Sequence, residues 1–175
     1  MPGNVSSGPV VILLGSNQGN RLDFLAHARH EMGVTAGSIH AVSSIYESSS
    51  WGDQAQPDYL NQAVILNTRL EPPALLDVLL DIEKSMGRKR TAKWASRIID
   101  LDILFYGDRI VRENNLQIPH PRISDRRFTL MPLAELLPGF IHPVSGKSMI
   151  DLLLMCSDNL RVKLTAAKAY PGQIQ

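Results

Sequence analysis

The sequence predicts one α+β domain with an antiparallel sheet, helices on one face and a C-terminal extension. Its 175 residues are close to the usual size of a single domain. Short apolar runs rich in β-branched residues alternate with two longer segments in which apolar residues recur at helical spacing. Between residues 10 and 105 these segments follow the order β-α-β-β-α-β, which is the split βαβ arrangement of ferredoxin-like domains.

The first half of this motif contains a strand, a helix and a second strand. Residues 9–14 are an apolar run that is typical of a buried strand, and Gly15 is predicted to end it. Asn20 can cap a helix, and Gly33 is predicted to terminate that helix. Residues 39–46 carry β-branched and aromatic side chains and predict the second strand.

The second half repeats the pattern. Residues 59–68 predict a third strand, and residues 98–105 predict a fourth. Between them, Pro72-Pro73 is typical of a first helical turn and Gly87 is typical of a helix end. The apolar face of this helix is predicted to consist of Leu75, Leu79, Ile82 and Met86.

Beyond the motif, the sequence predicts two shorter helices, at residues 132–137 and 147–156. The predicted organisation is a flexible N-terminal tail at 1–9, a domain at 10–160 and a C-terminal tail at 161–175.

Composition narrows the function classes. The 18 Lys and Arg residues nearly balance the 17 Asp and Glu residues, which argues against a nucleic-acid partner or a basic membrane-binding arm. The single cysteine, Cys156, cannot form an internal disulfide. The first eight residues lack the pattern of a signal peptide, and no apolar run reaches the length of a spanning helix. We therefore expect a cytoplasmic protein without a membrane partner.

The strongest chemical signal is the pair Asp100 and Asp102. On a strand these side chains point to the same face, with Cα atoms ~6.5–7 Å apart. Paired carboxylates repel each other unless a cation lies between them, and Mg²⁺ takes one or two protein carboxylates together with water and phosphate oxygens. We interpret the pair as a metal site, because strands disfavour aspartate and the alternative needs two unrelated acids on one exposed face.

A basic segment precedes the pair and contains no acid. Arg88, Lys89, Arg90, Lys93 and Arg97 lie within ten residues and show no apolar periodicity, so we predict a loop. Such a run is often only a solvated surface. Together with a metal site, however, several arginines are what a polyphosphate requires.

Two further groups leave alternatives open. His120 lies between two prolines, which is typical of a histidine held in place for a structural or a catalytic role. Tyr59 and Asn61 lie on one strand face, where they could stack on and hydrogen-bond a flat heterocycle, or be a core tyrosine beside a solvent-facing amide.

Taken together, these motifs resemble the 6-hydroxymethyl-7,8-dihydropterin pyrophosphokinase family of folate biosynthesis over roughly residues 10–150. The residues that carry the resemblance are Leu14-Gly15-Ser16-Asn17, Gln56-Pro57-Asp58-Tyr59-Leu60-Asn61, Arg97-x-x-Asp100-Leu101-Asp102 and Pro119-His120-Pro121-Arg122. The resemblance implies a monomer that transfers pyrophosphate from ATP, its co-substrate, to the pterin hydroxymethyl group and releases AMP.

The resemblance also implies roles for individual residues. The catalytic residues would be Arg88, Arg97, Asp100 and Asp102, with Asp100 and Asp102 holding two Mg²⁺ ions. The nucleotide would contact Glu83, Arg88, Arg90, Arg97, His120 and Arg126. The pterin would contact Ser48, Ser49, Trp51, Tyr59, Asn61 and Phe128, although the serine-rich edge at 48–50 replaces prolines that are common in the family.

Two other function classes are weighed against this one. An RNA-binding module with the same sheet would need an aromatic strand face, whereas the fourth strand carries aspartates. A kinase that transfers only the γ-phosphoryl group would use similar residues but would release ADP.

Overall fold

A six-stranded antiparallel sheet forms the centre of the molecule. The structure is a computed structural model, and it describes residues 8–50, 55–87 and 97–165. In chain order the elements are β1 (Val10–Ser16), α1 (Arg21–Thr35), β2 (Ser38–Val42), β3 (Tyr46–Ser48), β4 (Tyr59–Asn67), α2 (Pro72–Ser85), β5 (Asp100–Tyr106), β6 (Val111–Glu113), β7 (Leu116–Ile118), α3 (Arg127–Leu136), α4 (Met149–Met155) and β8 (Val162–Leu164). The strand order is β5-β1-β4-β3-β8, β2 also pairs with β4, and β6 and β7 form a separate hairpin.

Helices cover both faces of the sheet. Successive side chains of a strand point to opposite faces, and β1 is apolar throughout: Ile12 and Leu14 pack with α1 and α2, whereas Val11 and Leu13 pack with α3 and α4. The two helices of the β-α-β-β-α-β motif therefore share one face, as expected. The C-terminal extension adds α3 and α4 on the opposite face.

The first helix ends later than predicted. It continues through Gly33 to Thr35, and Ala36 is its C-terminal cap. The residue that stops it is Gly37, at a φ of +148°, where a Cβ would lie 2.2 Å from the carbonyl oxygen of Asn67. No other residue fits this approach to β4, whereas Gly33 has open space around it.

The predicted strand at 39–46 is two strands, because Ser43 interrupts it. The Ser43 hydroxyl accepts a hydrogen bond from the backbone N–H of Ala63, and the Gln62 side chain donates to the Ser43 carbonyl oxygen. The Ser43 N–H still donates to the carbonyl oxygen of Ala63 at 2.9 Å, but side chains make the other hydrogen bonds at this point. The other two strands of the motif were predicted more closely: β4 ends one residue early, and β5 begins two residues late. The first strand runs one residue past Gly15.

The C-terminal part departs further from the predictions. Helix α3 begins at Arg127 rather than at Pro132, which lies inside the helix. Its start is set by Asp158, whose carboxylate accepts the backbone N–H of Arg127 at 2.9 Å. Residues 162–164, predicted as part of a tail, form β8 and pair with β3. No helix in the described ranges is long and apolar enough to cross a membrane.

Candidate active site

A cavity of about 280 Å³ opens on the α3 side of the sheet. It lies where β1, β4 and β5 meet the start of α3 and the loop after β7. The residues around it are Leu13, Gly15, Ser48, Ser49, Ser50, Gln56, Tyr59, Asn61, Arg97, Asp100, Asp102, His120, Arg126 and Phe128. Chain segments far apart in sequence therefore share one pocket.

The sheet register puts the Asp100 carboxylate and the Asn61 amide in one row, on either side of Gly15. Gly15 of β1 pairs with Asp100 on one side and with Asn61 on the other. Directly opposed residues of antiparallel strands point to the same face, and neighbouring strands are about 4.8 Å apart. Gly15 has no side chain, so the space between Asp100 and Asn61 is open and forms the floor of the cavity.

The carboxylates of Asp100 and Asp102 both line the cavity and favour binding of a cation. The pKa of Asp102 is raised to about 8, first by burial and then by the charges of Asp100 and Glu83, against the effects of Arg126 and Arg97. The described residues contain no group of three or more His, Cys, Asp or Glu side chains arranged for a metal ion. Two oxygen donors with unfavourable mutual charge nevertheless fit Mg²⁺, which completes its coordination with water and phosphate oxygens.

Arg97 stands beside the aspartates. Its guanidinium Nη1 lies 2.6 Å from Asp100 Oδ2. Burial lowers the pKa of Arg97, but the charge and hydrogen bond of Asp100, together with Tyr59 and Asp102, raise it on balance. Arg126 also lines the cavity, where burial lowers its pKa and Asp102 acts in the other direction. Both guanidinium groups are thus partly desolvated and close to the carboxylates.

His120 is held as a neutral hydrogen-bond donor. Burial, with contributions from Arg126 and Arg122 and against that of Asp100, lowers the pKa of His120 to about 4. Its Nδ1 accepts the backbone N–H of Arg122 at 3.2 Å, so the ring proton lies on Nε2. The backbone N–H of His120 is anchored in turn to the carbonyl oxygen of Leu104 in β5.

The other end of the cavity carries aromatic and amide groups. Asn61 is 2% exposed, and its Nδ2 donates to Ser48 Oγ at 2.9 Å and to the carbonyl oxygen of Tyr46 at 3.3 Å. These bonds fix the amide so that Oδ1 remains as an acceptor beside Gly15. Tyr59 and Phe128 also line the cavity, and the Arg126 guanidinium lies 5.6 Å from the centre of the Phe128 ring.

Most of the predicted site residues meet in this cavity. Those that line it are Arg97, Asp100, Asp102, His120, Arg126, Ser48, Ser49, Tyr59, Asn61 and Phe128. Glu83 is 2% exposed and does not line it; its Oε1 accepts the backbone N–H of Leu101, between the two aspartates, at 2.7 Å. The predicted sites Trp51, Arg88 and Arg90 lie outside the described residues.

Ser50, part of the serine-rich edge predicted to border the pterin, also lines the cavity, and three further residues there were not predicted as site residues: Leu13, Gly15 and Gln56. Gln56 belongs to the motif that carries the family resemblance, so its position could have been inferred. Gly15 was interpreted as a strand end. Only the pairing of β1 with both neighbours shows that its missing side chain makes room for a ligand.

Comparisons with known proteins agree with this geometry. The family model described as 7,8-dihydro-6-hydroxymethylpterin-pyrophosphokinase (HPPK) matches residues 11–138. The 2-amino-4-hydroxy-6-hydroxymethyldihydropteridine pyrophosphokinase of Synechocystis is 46% identical over 144 residues, which cover 82% of this chain and 73% of that protein. The protein of the same name from Aquifex aeolicus is 38% identical, over 80% of this chain and 87% of that protein.

Solved structures show the same fold. The HPPK-DHPS protein of Plasmodium falciparum superposes with a TM-score of 0.68 at 17% identity, over 87% of this chain and 45% of that longer chain. The expected α+β fold is thereby confirmed. The family model and the two sequence relatives establish more than the fold, and the chain belongs to the 7,8-dihydro-6-hydroxymethylpterin-pyrophosphokinase family.

Proposed function

We propose that this chain transfers the pyrophosphoryl group of ATP to 6-hydroxymethyl-7,8-dihydropterin and releases AMP, a step of folate biosynthesis. The observation that carries the proposal is one cavity that joins a carboxylate pair and three cationic or N–H donor groups to two aromatic rings and a fixed amide. A polyphosphate needs the first set of groups, and a flat heterocycle needs the second. Membership of the family supplies the identity of both substrates.

The pterin would lie at the aromatic end of the cavity. Tyr59 and Phe128 can offer ring faces for stacking. Asn61 presents Oδ1, a hydrogen-bond acceptor, because its Nδ2 is already engaged by Ser48 and Tyr46. An acceptor at this position favours a heterocycle edge that carries N–H donors, as a pterin does. Ser49 and Ser50 would border the same edge.

The triphosphate would lie at the charged end. Arg97 and Arg126 can each donate several hydrogen bonds to phosphate oxygens, and His120 can donate one through Nε2. Asp100 and Asp102 would hold Mg²⁺, two ions by family resemblance, which when bound offsets phosphate charge and polarises the phosphorus–oxygen bonds. Arg88, Arg90 and Glu83 are proposed as further nucleotide contacts on the resemblance alone.

Catalysis by these residues would be mainly positioning and charge stabilisation. The rigid sheet holds the hydroxymethyl group near the β-phosphorus, while Arg97 and Arg126 stabilise the negative charge that moves onto AMP. His120 does not fit the role of general base, because its Nδ1 is engaged and its Nε2 already carries a proton. Its proposed role is to donate a hydrogen bond to the reacting phosphates.

The proposal also covers the extent of the domain, the oligomeric state and the location in the cell. The catalytic domain, predicted as residues 10–160, would extend through β8, with Trp51 at the pterin edge. The resemblance favours a monomer, and dependence on ATP and a reduced pterin favours the cytoplasm. This chain covers 73% and 87% of the two sequence relatives named above, but only 45% of the solved HPPK-DHPS chain.

The product nucleotide tests the proposal. Purified protein is incubated with ATP, Mg²⁺ and the hydroxymethyl dihydropterin, and the nucleotides are separated by ion-exchange chromatography. We expect AMP and the pterin diphosphate in equal amounts. ADP would identify a γ-phosphoryl kinase, and absence of both nucleotides would favour a binding module; either result would reject the proposal. Reactions without the pterin control for hydrolysis of ATP.

A further inference from the structure

We infer that the C-terminal segment (residues 156–164) positions both walls of the pterin end of the cavity, and that Asp158 is the positioning residue on which this depends. The inference rests on the proposed function, because it concerns how the pterin is bound. The segment lies beyond residues 11–138, which the family model matches. None of its residues lines the cavity, so any effect on binding must pass through the residues it holds.

The first wall, which contains Phe128, is held in place by the start of helix α3. The residue before the helix, Arg126, provides no side-chain cap. Asp158 supplies this missing acceptor, because its Oδ2 accepts the backbone N–H of Arg127 at 2.9 Å. The Arg127 side chain also donates a hydrogen bond, through Nε, to the carbonyl oxygen of Asp158 at 2.9 Å. The two residues that flank Arg127, Arg126 and Phe128, both line the cavity.

The second wall, which contains Ser49 and Tyr59, is held in place by β8 and by Arg161, the residue before it. The backbone N–H of Ser49 donates to the carbonyl oxygen of Arg161 at 3.2 Å, which fixes the cavity edge that follows β3. The Arg161 guanidinium Nη2 also lies 2.9 Å from Asp58 Oδ2. Asp58 directly precedes Tyr59, one of the aromatic residues of the cavity.

Asp158 connects the two walls. While Oδ2 caps α3, its Oδ1 accepts the backbone N–H of Leu160 at 3.0 Å and thereby holds the turn that leads to Arg161. One carboxylate therefore sets the distance between the start of α3 and the first residues of β8. Phe128 belongs to the first wall, and Tyr59 and Ser49 belong to the second.

The main consequence should be weaker pterin binding. Residues Phe128, Tyr59 and Ser49 belong to the pterin end, whereas Asp100 and Asp102 belong to β5, which does not pair with β8. Loosening the C-terminal segment should therefore weaken pterin binding most and leave the carboxylate pair in place. Because Arg126 also lies at the start of α3, a smaller loss of kcat is expected with it, whereas a merely structural role would lower thermal stability without weakening pterin binding.

The experiment compares Asp158→Ala with Asp151→Ala. Asp151 is a matched control, because it also lies at the start of a helix in the C-terminal extension, where Ser148 Oγ donates to its Oδ2 at 2.6 Å, but α4 places it away from the cavity. Pterin Kd is measured by calorimetry with Mg²⁺ and a non-hydrolysable ATP analogue, alongside Tm and the steady-state constants for pterin and ATP.

For Asp158→Ala we expect pterin Kd and KM to rise about tenfold, as loss of one capping bond would produce, with smaller changes in kcat and the ATP KM from displacement of Arg126. Asp158→Asn keeps an oxygen for only one of the two backbone N–H donors, Arg127 or Leu160, and should recover part of the affinity. Asp151→Ala should lower Tm without changing pterin Kd. The inference is overturned if Asp158→Ala and Asp151→Ala have equal pterin Kd values.

A second pair of variants keeps the inference testable if Asp158→Ala does not fold. Arg161→Ala removes only the contact of an exposed guanidinium with Asp58, and Arg112→Ala removes an exposed arginine of β6. We expect Arg161→Ala alone to raise pterin Kd, by about threefold; no difference from Arg112→Ala would contradict the inference. AMP formation by the wild-type protein in the same assays separates this outcome from failure of the proposed function.

Discussion

Asn17 and Arg97 are hydrogen-bonded in both directions. The backbone N–H of Arg97 donates to Asn17 Oδ1 at 2.7 Å, and the backbone N–H of Asn17 donates to the carbonyl oxygen of Arg97 at 3.1 Å. Asn17 Nδ2 also donates to the carbonyl oxygen of Pro57 at 3.2 Å and to Gln56 Oε1 at 3.4 Å. This residue, which is 1% exposed, thus joins the phosphate end of the site to the loop that leads to Tyr59.

The first prediction concerns this connection. Asn17→Ala should lower the unfolding free energy by about 1–3 kcal/mol, because it removes hydrogen bonds to two partly buried backbone groups, the Arg97 N–H and the Pro57 carbonyl oxygen. It should also weaken the binding of both ATP and pterin, since both segments that Asn17 joins would move. Urea unfolding and calorimetric titrations measure the two effects. Asn67→Ala, at the exposed end of β4, is the control; equal behaviour of the two variants would contradict the assignment.

The second prediction concerns the open floor of the cavity. A Cβ at Gly15 would lie 3.7 Å from Tyr59 Cδ1 and 3.8 Å from Asn61 Oδ1, which are ordinary contacts. Gly15→Ala should therefore fold but occupy space that the pterin needs, and raise pterin Kd by about tenfold or more. Binding of ATP and Mg²⁺ should change little.

Gly33→Ala is the matched control for Gly15→Ala. Gly33 lies inside α1 with no atom within 4 Å of an added Cβ, so this change should stabilise the protein by about 1 kcal/mol and leave binding unchanged. Thermal melts and pterin titrations of the two variants are compared. Unaltered pterin affinity of Gly15→Ala would show that the ligand does not lie over β1.

The third prediction concerns the carboxylates. Asp100→Asn and Asp102→Asn should each lower kcat by about a hundredfold or more, the scale of losing one preorganised electrostatic group. The Tm of Asp102→Asn without Mg²⁺ should be no lower than that of the wild type, because burial and the charges of Asp100 and Glu83 disfavour the ionised form of Asp102. Asp108→Asn, just after β5, is the control. Near-normal turnover at saturating Mg²⁺ would refute the metal assignment.

The fourth prediction concerns pH. Because the pKa of His120 is about 4 in the folded protein and 6.5 in its ordinary state, the unfolded chain binds a proton first as pH falls. The contribution of His120 to stability is complete above pH 6.5 and is lost between 6.5 and about 4. His120→Asn should therefore show a shallower loss of unfolding free energy across this window. Chemical denaturation at half-unit pH steps tests this; identical slopes would mean that His120 is not held neutral.

The strands and helices that were predicted well carry their signals within themselves. Helix α2 has Pro72-Pro73 in its first turn, an apolar face, and Gly87 just beyond its end, at a φ of +91°. These preferences act between residues close in sequence and are retained in the folded protein. Helix α3 was misplaced because its start depends on a cap from Asp158, 31 residues further along the chain. Strand β8 has only three residues and exists because the edge of β3 is available.

In the candidate site, too, some features follow from local sequence pattern and others from tertiary contacts. The sequence by itself determined that Asp100 and Asp102 share one face, because side chains along a strand alternate with a period of two, and that Ile99, Leu101 and Ile103 face the core. Family resemblance assigned His120, Arg126 and Phe128 to the same site, but only the tertiary structure decided how they meet these acids, and that Gly15 leaves space between Asp100 and Asn61. Local pattern specifies which way a side chain points. What it faces depends on strand register and on how α3 packs across the sheet, and both are set by contacts between residues distant in sequence.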